Sequence, residues 1–329
     1  MTVTARAMNT SNRIVVENLL PMSLVSAQPA CWTANNICKA PDKPTRMAFS
    51  QADYDRLVPD QVEFKQALER TTHVGIGAHQ DDLEFMAMHG ILECFQNEER
   101  WFGGITCTDG AGSARSGPYA DFSDEQMKNV RRREQRTAAQ IGNYSFMVQL
   151  NHPSQHAKQA SLRRSLTEDI QRLLEESCPH TIYTHNPFDK HSSHVGVLLA
   201  TLDAIQRLPL DKKPKQLWGC EVWRGLDWLS DADKTVQNVS GHPNLAASLN
   251  GVYDSQIAGG KRYDLAVEGR RKANATFLES HSVDRATHVQ YAIDMSPLIS
   301  GEMTLREFCT QKLRHFQDDV LNQLKALES

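Results

Sequence analysis

The sequence predicts an α/β protein built on a three-layer α/β/α arrangement around a mostly parallel sheet. Three observations point there. Short apolar runs at residues 72–78, 101–108, 144–150 and 181–184 alternate with segments of helical period, the pattern of repeated βαβ units. The runs are nearly continuous in apolar character, as strands covered on both faces are. Residues able to do chemistry gather directly after the first and fourth runs, and open α/β sheets bind ligands beyond the carboxyl ends of their strands.

Taken in order, residues 1–46 are rich in Thr, Asn, Ser, Ala and Pro and hold no sustained period, which predicts a disordered or poorly structured extension. The mildly apolar stretch 14–30 is interrupted by Glu17 and Pro21 and has a thin cationic start, so a mobile extension is the preferred reading over a secretory signal. Met47 is an alternative initiator, and residues 47–329 read as one domain with a C-terminal elaboration. Tyr54, Leu57, Val62 and Leu68 predict a short helical lead-in to the first strand. Phe85, Met88, Leu92 and Phe95 mark one face of a helix over 83–96. Ser123 as N-cap and Gly142 as stop frame a helix over 123–141. Further helices are expected at 162–176 and 195–205, a fifth strand at 217–223 and a last strand at 289–295. The helical stretch 262–280 carries Arg270 and Arg271 without a catalytic signature. A terminal helix over 305–327 is expected to pack through Phe308, Leu313, Phe316, Val320 and Leu324.

Composition narrows the function. A formal charge of −4 and a pI near 6.4 give no basic footprint for nucleic acid. No apolar stretch is long enough to span a membrane. Seven dispersed cysteines without a close pair suit reduced thiols and a cytoplasmic enzyme. Gly75-x-Gly77 lacks the third glycine of a dinucleotide fingerprint, which argues against a nucleotide cofactor.

The first strand ends in His79-Gln80-Asp81-Asp82. One imidazole and two carboxylates on a strand-to-helix turn can serve a metal and a base, with His79 and Asp82 converging and Asp81 left as proton acceptor. The bland reading is that one aspartate caps the helix. The fourth strand leads into His185, Asp189, His191 and His194. Such a cluster at the same sheet edge favours a shared ion: His79, Asp82 and His194 would hold it, leaving Asp81 as base and His191 as acid. His242, in a His-Pro turn, reads as structural. Trp223, Trp228, Tyr253 and Tyr263 read as packing residues with cleft lining as the alternative.

These motifs resemble the LmbE-like (PIG-L) superfamily of zinc-dependent de-N-acetylases. That family's apolar strand ending Ala-His-Pro-Asp-Asp-Glu is met by Ala78-His79-Gln80-Asp81-Asp82-Leu83-Glu84, and its Asp-x-His-x-x-His element by Asp189-x-His191-x-x-His194. Residues 106–110 resemble its Thr-x-Gly loop, and Arg131-x-x-Glu134 its Arg-x-x-Glu helix. The likeness covers about residues 72–208, with Gln80 in place of proline and the glutamate one position late. It implies a Rossmann-like fold, one Zn2+ on His79, Asp82 and His194, Asp81 as base, and His191 as acid or oxyanion stabiliser. Asp189, Asp109 and Arg131 are candidates for supporting or substrate contacts, Arg131 alternatively pairing with Glu134 on the helix surface. Residues 112–121 are expected to shape the pocket.

The expected activity is hydrolysis of an N-acetyl group on an amino sugar or its conjugate. Alternatives are a zinc amidase acting on a non-sugar or thiol-conjugate amide, a non-haem Fe2+ enzyme using the same ligand set, and an inactive sugar-binding relative. A homo-oligomer is compatible with the sequence.

Overall fold

The computed structural model describes residues 47–328, so the expectations for residues 1–46, and for Cys31 and Cys38 within them, lie outside the described residues. Residues 48–328 lie in one compact unit. Its strands are β1 (Asp55–Leu57), β2 (His73–Gly77), β3 (Phe102–Thr108), β4 (Phe146–His152), β5 (Thr181–His185), β6 (Gln216–Cys220), β7 (Thr235–Asn238) and β8 (Val289–Asp294). They form one sheet in the order β1-β4-β3-β2-β5-β6-β8-β7.

The five central strands, from β4 to β6, are parallel, while β1, β8 and β7 join antiparallel at the edges. The chain winds from β2 through β3 to β4 on one side, then returns to place β5 against the other side of β2. The order therefore reverses between β2 and β5, and a crevice opens beyond the carboxyl ends at such a reversal. Every residue of β3 and β4 is buried, so both faces of the sheet are covered.

Most elements form where the apolar pattern put them. The helix Asp124–Ile141 starts with a capping box, Ser123 Oγ accepting from Gln126 N and Gln126 Oε1 accepting from Ser123 N. Buried Cys94, Cys107 and Cys220 are free thiols whose pKa burial pushes up, which leaves them inert.

Four features depart from expectation. The lead-in begins with a strand, β1, because residues 55–57 find an open edge on β4; the helix there is only Phe64–Glu69. β7 likewise owes its existence to pairing with β8. The helix expected over 83–96 is two, Asp82–Met86 and Met88–Cys94, broken at Ala87. The carbonyls of Glu84, Phe85 and Met86 explain the break: side chains of Arg271 and Gln290 donate to them, replacing the amides that would continue the helix. Finally, the helix Leu305–Glu328 buries only Phe308 of its five expected packing residues, the others being 37–50% exposed. Lys312 and His315 fasten it instead to Asp233 at 2.7 and 2.8 Å.

Candidate metal centre and active site

The turn after β2 is held from several sides. Asp81 occupies the N-cap position of Asp82–Met86 with φ of 102°, yet its side chain makes no capping bond, which removes the bland reading. Strain of this kind persists where surroundings enforce it. Here Asp81 N donates to Gln135 Oε1 at 3.2 Å, and the Arg131 guanidinium donates to the Gln80 carbonyl. Gln80, standing where the family motif has proline, is buried and donates from Nε2 to Thr108 O (3.1 Å) and Gln149 Oε1 (3.3 Å). Hydrogen bonds to β3 and β4 thus supply the rigidity a proline ring would give. Gly110 across the gap has φ of +73°, and a Cβ there would lie 2.6 Å from Gln80 Oε1, so only glycine fits.

His79, Asp82 and His194 converge. His79 Nδ1 lies 3.3 Å from Asp82 Oδ2, His194 Nε2 lies 3.4 Å from Asp82 Oδ1, and the two ring nitrogens are 3.2 Å apart. Ligand atoms about 2.0–2.1 Å from a tetrahedral zinc stand about 3.3–3.4 Å from one another, so the donor set fits that ion in both chemistry and spacing. Asp82 also accepts the His79 backbone N–H at 2.7 Å, which fixes its carboxylate in the turn. Burial opposes its charge, but His194, His185 and His79 outweigh that and hold the carboxyl well below its ordinary range.

His194 comes from β5's side of the crevice. The helix starts at Ser192, earlier than expected, so His191 is its N-cap and His194 lies in its first turn. Asp189 Oδ2 sits 3.2 Å from His194 Nδ1, which places the proton there and leaves the Nε2 lone pair facing His79 and Asp82. Asp189 is itself held by His191 N at 2.9 Å and Trp223 N at 3.1 Å.

His185, unassigned by the sequence reasoning, stacks on His194 with centroids 3.9 Å apart and approaches Asp82 Oδ2 at 3.4 Å. Its Nε2 already accepts the Ala78 N–H at 2.9 Å, a bond that nitrogen would give up on ligating an ion. Burial and the neighbouring His194 push its pKa down to about 4. His191 packs edge-on to His79 at 5.0 Å and, like His185, could join a His-rich ligand group.

Asp81 is not a free carboxylate. Its Oδ2 is 3.2 and 3.3 Å from Arg131 Nη1 and Nη2, and both residues are buried. This corrects the alternative pairing of Arg131 with Glu134, whose carboxylate accepts instead from Ser255 N (2.7 Å) and Oγ (2.6 Å). Burial raises the Asp81 pKa, Arg131 opposes it, and the outcome is about 7. The late glutamate, Glu84, is buried in the core and accepts from Tyr144 (2.7 Å), Gln135 (3.0 Å) and Tyr253 (2.5 Å).

A cavity of about 550 Å³ opens over the cluster. Asp81, Asp82, His79 and His191 lie on its wall, as does Asp109, which is paired with Lys128 at 3.1 Å. Of residues 112–121, Gly112, Ser113 and Ala114 line it, while Arg115 turns to Asp124. Trp223 and Tyr263 line it too; Trp228 packs on Phe188, and Tyr253 is buried. His242 is the N-cap of Pro243–Gly251 and packs on Phe95, away from the cavity lining. Arg271, Glu221 and Gln290 also line it, and nothing in their local sequence marks them out as site residues.

A parallel sheet with a switch point, and a His-Asp-His cluster in its crevice, define the class: an α/β protein with a site suited to a metal ion. Residues 74–205 match the family model described as PIG-L, GlcNAc-PI de-N-acetylase. Among solved structures, N,N'-diacetylchitobiose deacetylase from Pyrococcus horikoshii is similar with TM-score 0.55 at 12% identity, covering 71% of this chain and 87% of that one. GalB, the 4-carboxy-2-hydroxymuconate hydratase of Pseudomonas putida KT2440, gives 0.53 at 14%, covering 68% and 96%. The conserved protein TT1542 from Thermus thermophilus gives 0.51 at 16%, covering 68% and 94%. At these identities the likeness is one of fold. No curated protein matches the chain. Among the described residues no helix is long and apolar enough to cross a membrane.

Proposed function

We propose that this chain is a zinc-dependent amide hydrolase that removes an N-acetyl group from an amino sugar or its conjugate. The observation that carries the reading is the approach of His79 Nδ1, Asp82 and His194 Nε2 to within 3.2–3.4 Å, beside a cavity whose wall holds Asp81 and His191. The family description, a de-N-acetylase, supports the reaction type.

His79, Asp82 and His194 would hold the ion. When bound, zinc supplies Lewis acidity, which eases deprotonation of a water and polarises an acyl oxygen. Asp81 accepts the proton of the attacking water at Oδ1, the oxygen Arg131 leaves open. Arg131 keeps the carboxylate from becoming too basic and fixes its direction. Burial, His194 and His79 push His191 down to about 4, so it works as a neutral N–H donor to the acyl oxygen as charge develops there. The water oxygen bonds to the acyl carbon, the C–N bond breaks, and the proton held by Asp81 passes to the departing nitrogen. Acetate and a free amine result.

The test combines elemental analysis with acetate release from a panel of N-acyl amino sugars. Asp81→Asn is expected to keep its zinc and lose about 10²–10⁴ in kcat, the usual worth of a general base. His194→Ala is expected to lose the metal. Full activity in both variants overturns the assignment, as does iron with oxygen uptake in place of zinc.

A further inference from the structure

The family match stops at residue 205, yet the helix Tyr263–Thr276 and β8 also contribute residues to the cavity. Arg271, on that helix, lines the cavity and is only 2% exposed. Its Nη2 donates to the carbonyls of Glu84 (2.7 Å) and Phe85 (3.2 Å), while Nε and Nη1 are buried with no partner.

No carboxylate among the described residues lies within ion-pair distance of Arg271, and the acids whose field reaches it are committed elsewhere. Glu221 accepts from Asn274 Nδ2 (2.7 Å), Tyr291 N (3.1 Å) and Leu226 N (3.0 Å). Glu268 pairs with Lys272 (2.9 Å) and His288 (3.1 Å). Burial without a compensating anion pushes the Arg271 pKa down to about 10. A lone buried cation is costly, and unmade hydrogen bonds add to that cost. Buried polar groups left open in this way call for a partner.

We propose that Arg271 is the anion-recognition residue of this cavity, taking a carboxylate or phosphate borne by the substrate, with Lys261 in support. Lys261 lines the same cavity over the Trp223 ring, without a carboxylate partner among the described residues. Arg271 grips carbonyls two and three residues beyond Asp82. At about 1.5 Å rise per residue that is about 3–5 Å along the helix, within the span of one small substrate. The substrate half of this inference rests on the amide-hydrolase reading; the anion site does not.

Calorimetric titration of the zinc-loaded protein with glucosamine, glucosamine 6-phosphate and muramic acid tests it, the last two being the same amino sugar carrying a phosphate or a carboxylate. At least one anionic sugar is expected to bind tenfold or more tighter than glucosamine, and which one identifies the anion. In Arg271→Gln the ratio of anionic to neutral sugar affinity is expected to fall to about one, with Arg271→Lys recovering part of it. A residue that merely braces the Asp82–Met86 helix would lower thermal stability and weaken all three ligands together. No preference in the wild type, or one that survives Arg271→Gln, overturns the proposal; the wild-type comparison decides alone if the variant does not fold. Hydrolysis of the matching N-acetyl sugars is measured beside it. Loss of hydrolysis with retained anion preference would sink the amide reading and leave the anion site standing.

Discussion

Replacing Asp189 with asparagine probes how far the cluster depends on a group that touches no reacting atom. The carboxylate accepts His191 N on Oδ1 at 2.9 Å, and His194 Nδ1 (3.2 Å) and Trp223 N (3.1 Å) on Oδ2. Asparagine offers one acceptor oxygen. Turned toward His194, its NH2 opposes the His191 N–H; flipped, it opposes both other donors. The first arrangement loses one bond to a buried group, a cost of about 1–3 kcal/mol in stability. His194 also loses the negative charge that keeps Nε2 basic and its tautomer fixed. Removing such a partner of a ligating histidine weakens metal binding about 10–100-fold, or about 1.4–2.7 kcal/mol. Competition against a zinc indicator reads the affinity, and acetate release at saturating zinc reads what remains of turnover. Turnover is expected to recover to within tenfold once the site is filled. Zinc affinity within twofold of wild type would refute the claim that Asp189 orients His194.

Three further outcomes are expected. Gly196→Ala in the His194-bearing helix would set a Cβ 2.2 Å from the Ala157 carbonyl oxygen, and urea unfolding should show a loss of about 1–3 kcal/mol. The bond from Arg70, at 2.7 Å, holds Asp60 below its ordinary 3.8. With the folded pKa depressed, its contribution is present above the unfolded value and fades as pH falls through the folded one. Asp60→Asn should therefore cost about 0.2–1 kcal/mol at neutral pH and progressively less as pH falls below the ordinary carboxylate range; a gap undiminished in acid would contradict the pairing. Zinc at 100 times its dissociation constant should stabilise the fold by about 2.7 kcal/mol, read as a rise in melting temperature over chelator-treated protein. Stability that ignores the metal would count against a preformed site.

The parts legible in the sequence are those where pattern and chemistry coincide locally. His79 and Asp82 follow one apolar run, Asp189, His191 and His194 follow another, and the strand periodicity sets both runs in the central sheet. What stayed hidden depends on contacts between distant segments. Arg131 has an obvious neighbour in Glu134 one helical turn away, whereas its partner, Asp81, lies fifty residues earlier and is found only once the sheet closes. The break at Ala87 follows from Arg271 and Gln290, about two hundred residues on. β1 and β7 are three and four residues long and owe their conformation to the edges they pair with. The amphipathic period of Leu305–Glu328 marks a helix, but period alone does not say whether its apolar row meets the body of the protein.

The hold on Asp82–Met86 has a consequence for where this protein can be cut. Tyr253 reaches Glu84, Arg271 takes the Glu84 and Phe85 carbonyls, and Gln290 those of Phe85 and Met86. The histidines and aspartates of the signature lie in the first two thirds of the chain, but the scaffold bracing them from behind lies in the last third. The signature is therefore not a portable module. A fragment ending near residue 208 would keep every expected ligand and lose the grip that holds two of them in register.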